Sequence, residues 1–291
     1  MLDSTTAIHT IEQLQSELEK LKVELANHFG RSNLNLIGIS TADSCFLTIL
    51  NGYVFNLPRD VFRANQHCVV GLHQVVSGAI KLDVEVDQIK WMTDRLPIGG
   101  VFVDIGAMLG VVSLPLSRCH NGNVEIIAFE PARRSISGLR RAICVNNISN
   151  IETIESAVGK ENGKVTFSEA PFDETGQIPW LAQTSSISHG DLDPQAETYQ
   201  VRCTTLDKFF QDRSDRSRVS VIKIDVEGFE IDVLDGATEV IERTRPSISI
   251  DIHPHPFQPG TTEDQVRQRL AVRNYTFENQ GHVLFCSPNV T

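Results

Sequence analysis

Near the start of the chain, apolar residues recur at helical spacing: Ile11, Leu14, Leu18, Leu21 and Leu25, followed by His28. Glu and Lys fill the positions between them, so residues 10–28 are expected to form an amphipathic helix with an a/d stripe. Two arrangements satisfy that stripe. It could be a short coiled coil that joins two subunits as a homodimer, or one helix lying on its own domain.

The pattern then changes period. Residues 46–50 and 53–57 are strand-like and flank Asn51-Gly52, the pair that supplies both positive-φ positions of a type I′ turn, so a β-hairpin is expected there. Residues 69–80 read as helix, weakened by Gly71 and Gly78. Pro97 and Gly99-Gly100 close this stretch. Residues 1–97 are therefore expected to be an N-terminal helical and hairpin extension, and residues 98–291 a separate unit.

From Val101 the apolar runs become continuous, as in strands buried on both faces. They fall at residues 101–103, 124–129, 151–154, 219–224 and 247–252, with helical stretches between the early ones. Alternating strands and helices imply an α/β fold with a mostly parallel sheet. Residues 275–277 and 282–285, around Asn279-Gln280-Gly281, predict a closing antiparallel hairpin. Between Gly159 and Arg218 the chain is too long for a simple crossover. That stretch holds strand candidates at residues 165–168 and 199–203, a polar run at 183–189 and Trp180. Long inserts at the strand C-terminal edge often form lids or substrate loops.

Composition narrows the function. The 291 residues carry a formal charge of −11, which argues against a nucleic-acid partner bound through phosphates. Six scattered cysteines make no CxxC pair, so neither a zinc site nor a redox dithiol is signalled, and a reducing cytoplasm fits best. Residues 1–9 carry Asp3 and no apolar core, so no signal peptide is expected. No run approaches the length of a membrane span.

The chemistry concentrates at strand ends. Asp104-Ile105-Gly106-Ala107-Met108-Leu109-Gly110 follows the first buried strand. Gly106, Ala107 and Gly110 would let a ligand approach the backbone, and a new helix N-terminus would suit an anion. The ligand could be S-adenosylmethionine, its carboxylate at that terminus and its ammonium on Asp104. The glycine spacing is not that of dinucleotide binders. Glu130-Pro131 ends the next strand, 24 residues after Gly106, where an acid can accept bonds from both ribose hydroxyls. Ser156-Ala157 would lie at the adenine edge or be ordinary loop. Asn146 would face the cofactor or cap its helix.

Asp225 and Glu227 follow the strand at residues 219–224 and should edge the cleft. Either could act as general base toward an acceptor hydroxyl, both could hold a divalent cation, or the loop could merely cap the next helix. His253 and His255 end the strand at 247–252; His253 is a further candidate base or ligand.

Together these stretches resemble the FkbM family of methyltransferases: FVDIGAMLG, IAFEP, CVNN, TTLDKFF, VIKIDVEGFEIDVLDGA and IDIHP, within residues 100–256. The resemblance implies a Rossmann-like class I methyltransferase that uses S-adenosylmethionine. Its acceptor would be a hydroxyl of a small molecule or glycan, typically a sugar or secondary metabolite. By the same resemblance Asp104, Gly106, Gly110 and Glu130 bind cofactor, and Asp225 and Glu227 lie at the active-site edge. The family usually has asparagine where this chain has Met108, which cannot hydrogen-bond through its side chain. Two alternatives stay open: a nicotinamide-dependent oxidoreductase, and a non-catalytic cofactor-binding scaffold subunit that works through its heptad helix.

Overall fold

The computed structural model describes residues 36–40, 45–50, 53–58, 83–169, 185–187, 197–253 and 261–289. The expected helices at residues 10–28 and 69–80, Trp180, His255 and most of the 183–189 run lie outside the described residues.

In the N-terminal part, β1 (Leu36–Ser40), β2 (Cys45–Leu50) and β3 (Tyr53–Pro58) form an antiparallel sheet in that order. Leu50 pairs with Tyr53, so the two expected strands pair as a hairpin, and Asn51-Gly52 lies outside the described residues.

Seven strands form the main sheet: β4 (Val101–Ile105), β5 (Glu125–Phe129), β6 (Ile151–Ile154), β11 (Val219–Ile224), β12 (Ser247–Asp251), β13 (Tyr275–Gln280) and β14 (Val283–Pro288). Their order is β13-β14-β12-β11-β4-β5-β6. The five from β12 to β6 pair in parallel, and β14 and β13 close the edge antiparallel. This is the expected fold class. The closing strands run longer than expected, so the turn shrinks to Gly281-His282, with Gly281 at φ 62°.

Continuous burial explains the sheet's centre. Every residue of β4 is buried, as are the last four of β5, β11 and β12. Fully burying one Val, Ile or Phe contributes about 1.5–3 kcal/mol, so these runs dominate the fold's stability. On one side Ile222 and Ile224 pack with Val233 and Leu234 of α5 (Glu230–Asp235), and with Val240 and Ile241 of α6 (Thr238–Thr244). On the other, Phe102, Ile126 and Val221 pack with Met92 of α1 (Asp83–Thr93) and with Leu96. The sheet's packing thus reaches back past residue 97.

The long insert holds a second sheet. It comprises β7 (Ala157–Val158), β8 (Gly163–Glu169), β9 (Ser185–Ile187) and β10 (Glu197–Thr204), in the order β7-β10-β8-β9. Both strand candidates are present and paired with each other, Val165 opposite Val201. Phe167, Val201 and Cys203 cluster with Ala132 and Ala157, which seats this sheet beside the end of β5. Among the described residues no helix is long and apolar enough to cross a membrane.

Candidate active site

Parallel strands in register end along one edge, and the candidate residues collect there. Gly106 leaves β4 at φ 84°, and a Cβ on it would lie 1.8 Å from the Asp225 carbonyl oxygen. Only glycine fits so close an approach of two backbones. Gly106 and Ala107 both donate their N–H to Phe129 O, each at 3.0 Å. Gly110, at φ 89°, would drive a Cβ to 2.5 Å from Leu139 Cδ1. Met108 between them sits at φ 50°, a region that favours glycine and asparagine. That backbone angle gives a physical reason for the asparagine of the resemblance.

The turn does not lead straight into a long helix. The next helix, α2 (Ser113–Leu116), is four residues long. The anion site expected at a helix N-terminus would therefore lie at the start of a single turn.

Glu130 is buried where β5 ends. Its Oε2 accepts the Met108 N–H at 2.8 Å, and its Oε1 accepts the Ala132 N–H at 2.7 Å. Ala132 caps α3 (Arg133–Val145), so the carboxylate faces that helix's positive end. The neighbouring β6 end is held by Glu130 N donating to Ile154 O. Just beyond it, Ser156 and Ala157 are buried, and Ser156 Oγ donates to Arg202 O at 3.1 Å.

Asn146 is not at this edge. It is the C-cap of α3, its Nδ2 donating to Ala142 O at 2.8 Å. α3 starts at the sheet's carboxyl edge and its 13 residues carry the chain about 20 Å back toward the start of β6. The capping alternative is the one the structure realises.

Behind the turn lies a buried ionic cluster. Lys223 pairs in register with Asp104 on the adjacent strand, and its Nζ donates to Asp225 Oδ2 at 2.9 Å. Burial opposes its charge, but the carboxylates of Asp225, Asp104 and Asp251 outweigh that and keep it protonated. Asp104 is fully buried. Burial pushes its carboxyl above the ordinary carboxylate range, against the pull of Lys223 and a 2.6 Å bond from Ser113 Oγ to Oδ2. Its Oδ1 has no hydrogen-bond partner among the described residues.

Asp225, Glu227 and His253 come together, with one donor atom from each lying within 4.8 Å of the others. His253 Nδ1 is 3.7 Å from Asp225 Oδ1 and 3.6 Å from Glu230 Oε1. Burial would lower the His253 pKa, yet the carboxylates of Glu230, Glu227 and Asp225 raise it to about 9. Asp251, at the end of β12, takes 2.7 Å from Gln88 Nε2 of α1 and stands 3.4 Å from His282 Nε2.

Sequence reasoning missed Lys223, Glu230, Asp251, Gln88 and His282. One signal was available: Lys223 interrupts an apolar strand buried on both faces, where an unpaired lysine is not tolerated. Gln88 and His282 lie far away in sequence and carry no such mark.

A model of the methyltransferase FkbM domain matches residues 104–278. Methyltransferase 1 of Beauveria bassiana is 28% identical over 174 residues, covering 54% of this chain and 69% of that protein. Among solved structures, methyltransferase FkbM from Methylobacillus flagellatus is similar at 19% identity and a TM-score of 0.44, covering 65% of this chain and 43% of that one. The chain thus spans less than half of that protein's length. M. jannaschii TYW2 in complex with AdoMet is similar at 9% identity and a TM-score of 0.38, covering 84% of each chain.

Proposed function

This chain belongs to the FkbM methyltransferase family, and from that premise we propose that it transfers a methyl group from S-adenosylmethionine to a hydroxyl oxygen of a sugar or secondary metabolite. The observation that carries this reading is the direct bond between Glu130 and the Met108 N–H, which fastens a carboxylate to a glycine turn at the ends of two adjacent parallel strands.

Each oxygen of Glu130 accepts one backbone N–H, and a carboxylate oxygen can accept more than one hydrogen bond, here a ribose hydroxyl as well. Gly106, Ala107 and Gly110 form the close-approach surface for the methionine part. Asp104 Oδ1, without a partner among the described residues, is the acceptor for its ammonium. Ser156 and Ala157, with Pro131 next to Glu130, flank the adenine side.

When bound, S-adenosylmethionine supplies an electrophilic methyl on a sulfonium. The protein's task is to align the acceptor oxygen with it and to exclude water. The oxygen forms the new bond to carbon, the carbon–sulfur electrons return to sulfur, and the hydroxyl proton must leave. Asp225 and Glu227, half-buried at the neighbouring strand end, receive that proton directly or hold a cation that makes it acidic. The nicotinamide alternative lapses with family membership.

Calorimetric titration with S-adenosylhomocysteine, followed by transfer of labelled methyl to a panel of glycosides and hydroxylated metabolites, tests the reading. One site per chain and label on an ether oxygen are expected. Cofactor bound with no methyl passed to any acceptor would favour the scaffold alternative.

A further inference from the structure

We propose that Asp225, Glu227 and His253, with Glu230 behind them, bind one first-row divalent cation of the Mn2+ type. The proposal deepens the functional reading above and rests on it only for what the ion does. The spacing fits. Donor atoms on opposite sides of an ion with bonds near 2.1 Å lie about 4.2 Å apart, and adjacent ones about 3 Å. The three donors lie within 4.8 Å of one another, close to that spread.

A second, independent observation points to the same place. Glu230 is fully buried, and its Oε2 has no hydrogen-bond partner among the described residues. Its Oε1 accepts the Gly228 N–H and faces His253 Nδ1 at 3.6 Å. That nitrogen is itself buried without a hydrogen-bond partner, flanked at 3.6 and 3.7 Å by two carboxylate oxygens. Those gaps are too long for hydrogen bonds and close to the spacing of neighbouring donors around one ion. A buried carboxylate is costly without a cation beside it; Lys223 donates to Asp225, so the cation facing Glu230 is either a protonated His253 or a bound metal ion.

The donor set narrows the ion. Imidazole with carboxylates suits Mn2+, Fe2+ or Zn2+ better than Mg2+, which prefers oxygen alone. Asp225, Glu227 and His253 are each partly exposed, which leaves coordination positions open to an acceptor hydroxyl. A hydroxyl bound there becomes more acidic, releases its proton to solvent, and keeps its oxygen lone pair for the methyl.

The test uses the full chain after dialysis against chelator, titrated with Mn2+ alone and followed by loss of the free-ion EPR signal. One saturable site per chain is expected. Glu227→Gln and His253→Gln should weaken it more than about tenfold, and Glu230→Gln by about tenfold, with melting curves showing that each variant folds. No saturation by about 1 mM Mn2+, or equal affinity in all three variants, would overturn the proposal. S-adenosylhomocysteine is titrated separately into the metal-free and Mn2+-loaded chain. Its binding without Mn2+ binding defeats the ion site and leaves the functional reading standing. Mn2+ binding with no S-adenosylhomocysteine binding in either form does the reverse.

Discussion

Glu130 accepts the Met108 N–H at 2.8 Å, so the acid that closes β5 holds the turn that closes β4. The same carboxylate takes the Ala132 N–H at the start of α3. One buried side chain therefore sets the positions of three backbone segments, and its replacement should disturb structure and ligand binding together. Glu130→Gln keeps the volume but removes the charge and one acceptor. A stability loss of about 1–3 kcal/mol is expected from urea unfolding, with at least tenfold weaker S-adenosylhomocysteine binding by calorimetry. Unchanged affinity would remove Glu130 from the site.

Met108 holds a positive φ of 50° without glycine or asparagine chemistry. Met108→Asn should leave stability unchanged or raise it by up to about 1 kcal/mol, because asparagine tolerates this conformation. Met108→Val should lose about 1–2 kcal/mol, since a β-branched side chain resists it most. Urea midpoints of the two variants give the comparison, and the opposite ranking would contradict the backbone argument.

Gly106 and Gly99 separate close approach from conformation. Both have positive φ, but a Cβ at Gly106 meets Asp225 O while one at Gly99 meets nothing within 4 Å. Gly99→Ala should cost about 1 kcal/mol, from strain alone. Gly106→Ala should cost several times as much and abolish S-adenosylhomocysteine binding. Similar melting temperatures for the two would refute the contact.

Asp215 gives a pH-dependent contribution to stability. Hydrogen bonds from Arg213 hold its carboxyl below the ordinary value of 3.8, with burial opposing. A depressed acid stabilises fully above its unfolded pKa, and that share is lost as pH falls through its folded value. Asp215→Asn should therefore cost about 1–2 kcal/mol at pH 7, a figure kept low because Arg213 is 30% exposed. The gap to the parent chain should narrow below pH 4. A gap that widens in acid would show the sign to be wrong.

What the sequence made legible was local. Strand runs, Asn51-Gly52, the glycine turn and Glu130 all announce themselves within a few residues. The ionic cluster does not, because Lys223 reaches Asp104 only through the register of strands more than a hundred residues apart. Glu230 reads as one acid among several until burial singles it out. The choice between the two roles open to Asn146 was not legible either, because it depends on the length and direction of α3, which carry it to the far edge.

The central claim is that the glycine turn and Glu130 grip one adenosyl ligand. A crystal structure grown with S-adenosylhomocysteine tests it most directly. The account predicts both ribose hydroxyls within hydrogen-bond distance of the Glu130 carboxylate, and the amino-acid end against Gly106 and Gly110. Ligand density at any other place, with this crevice empty, would contradict it.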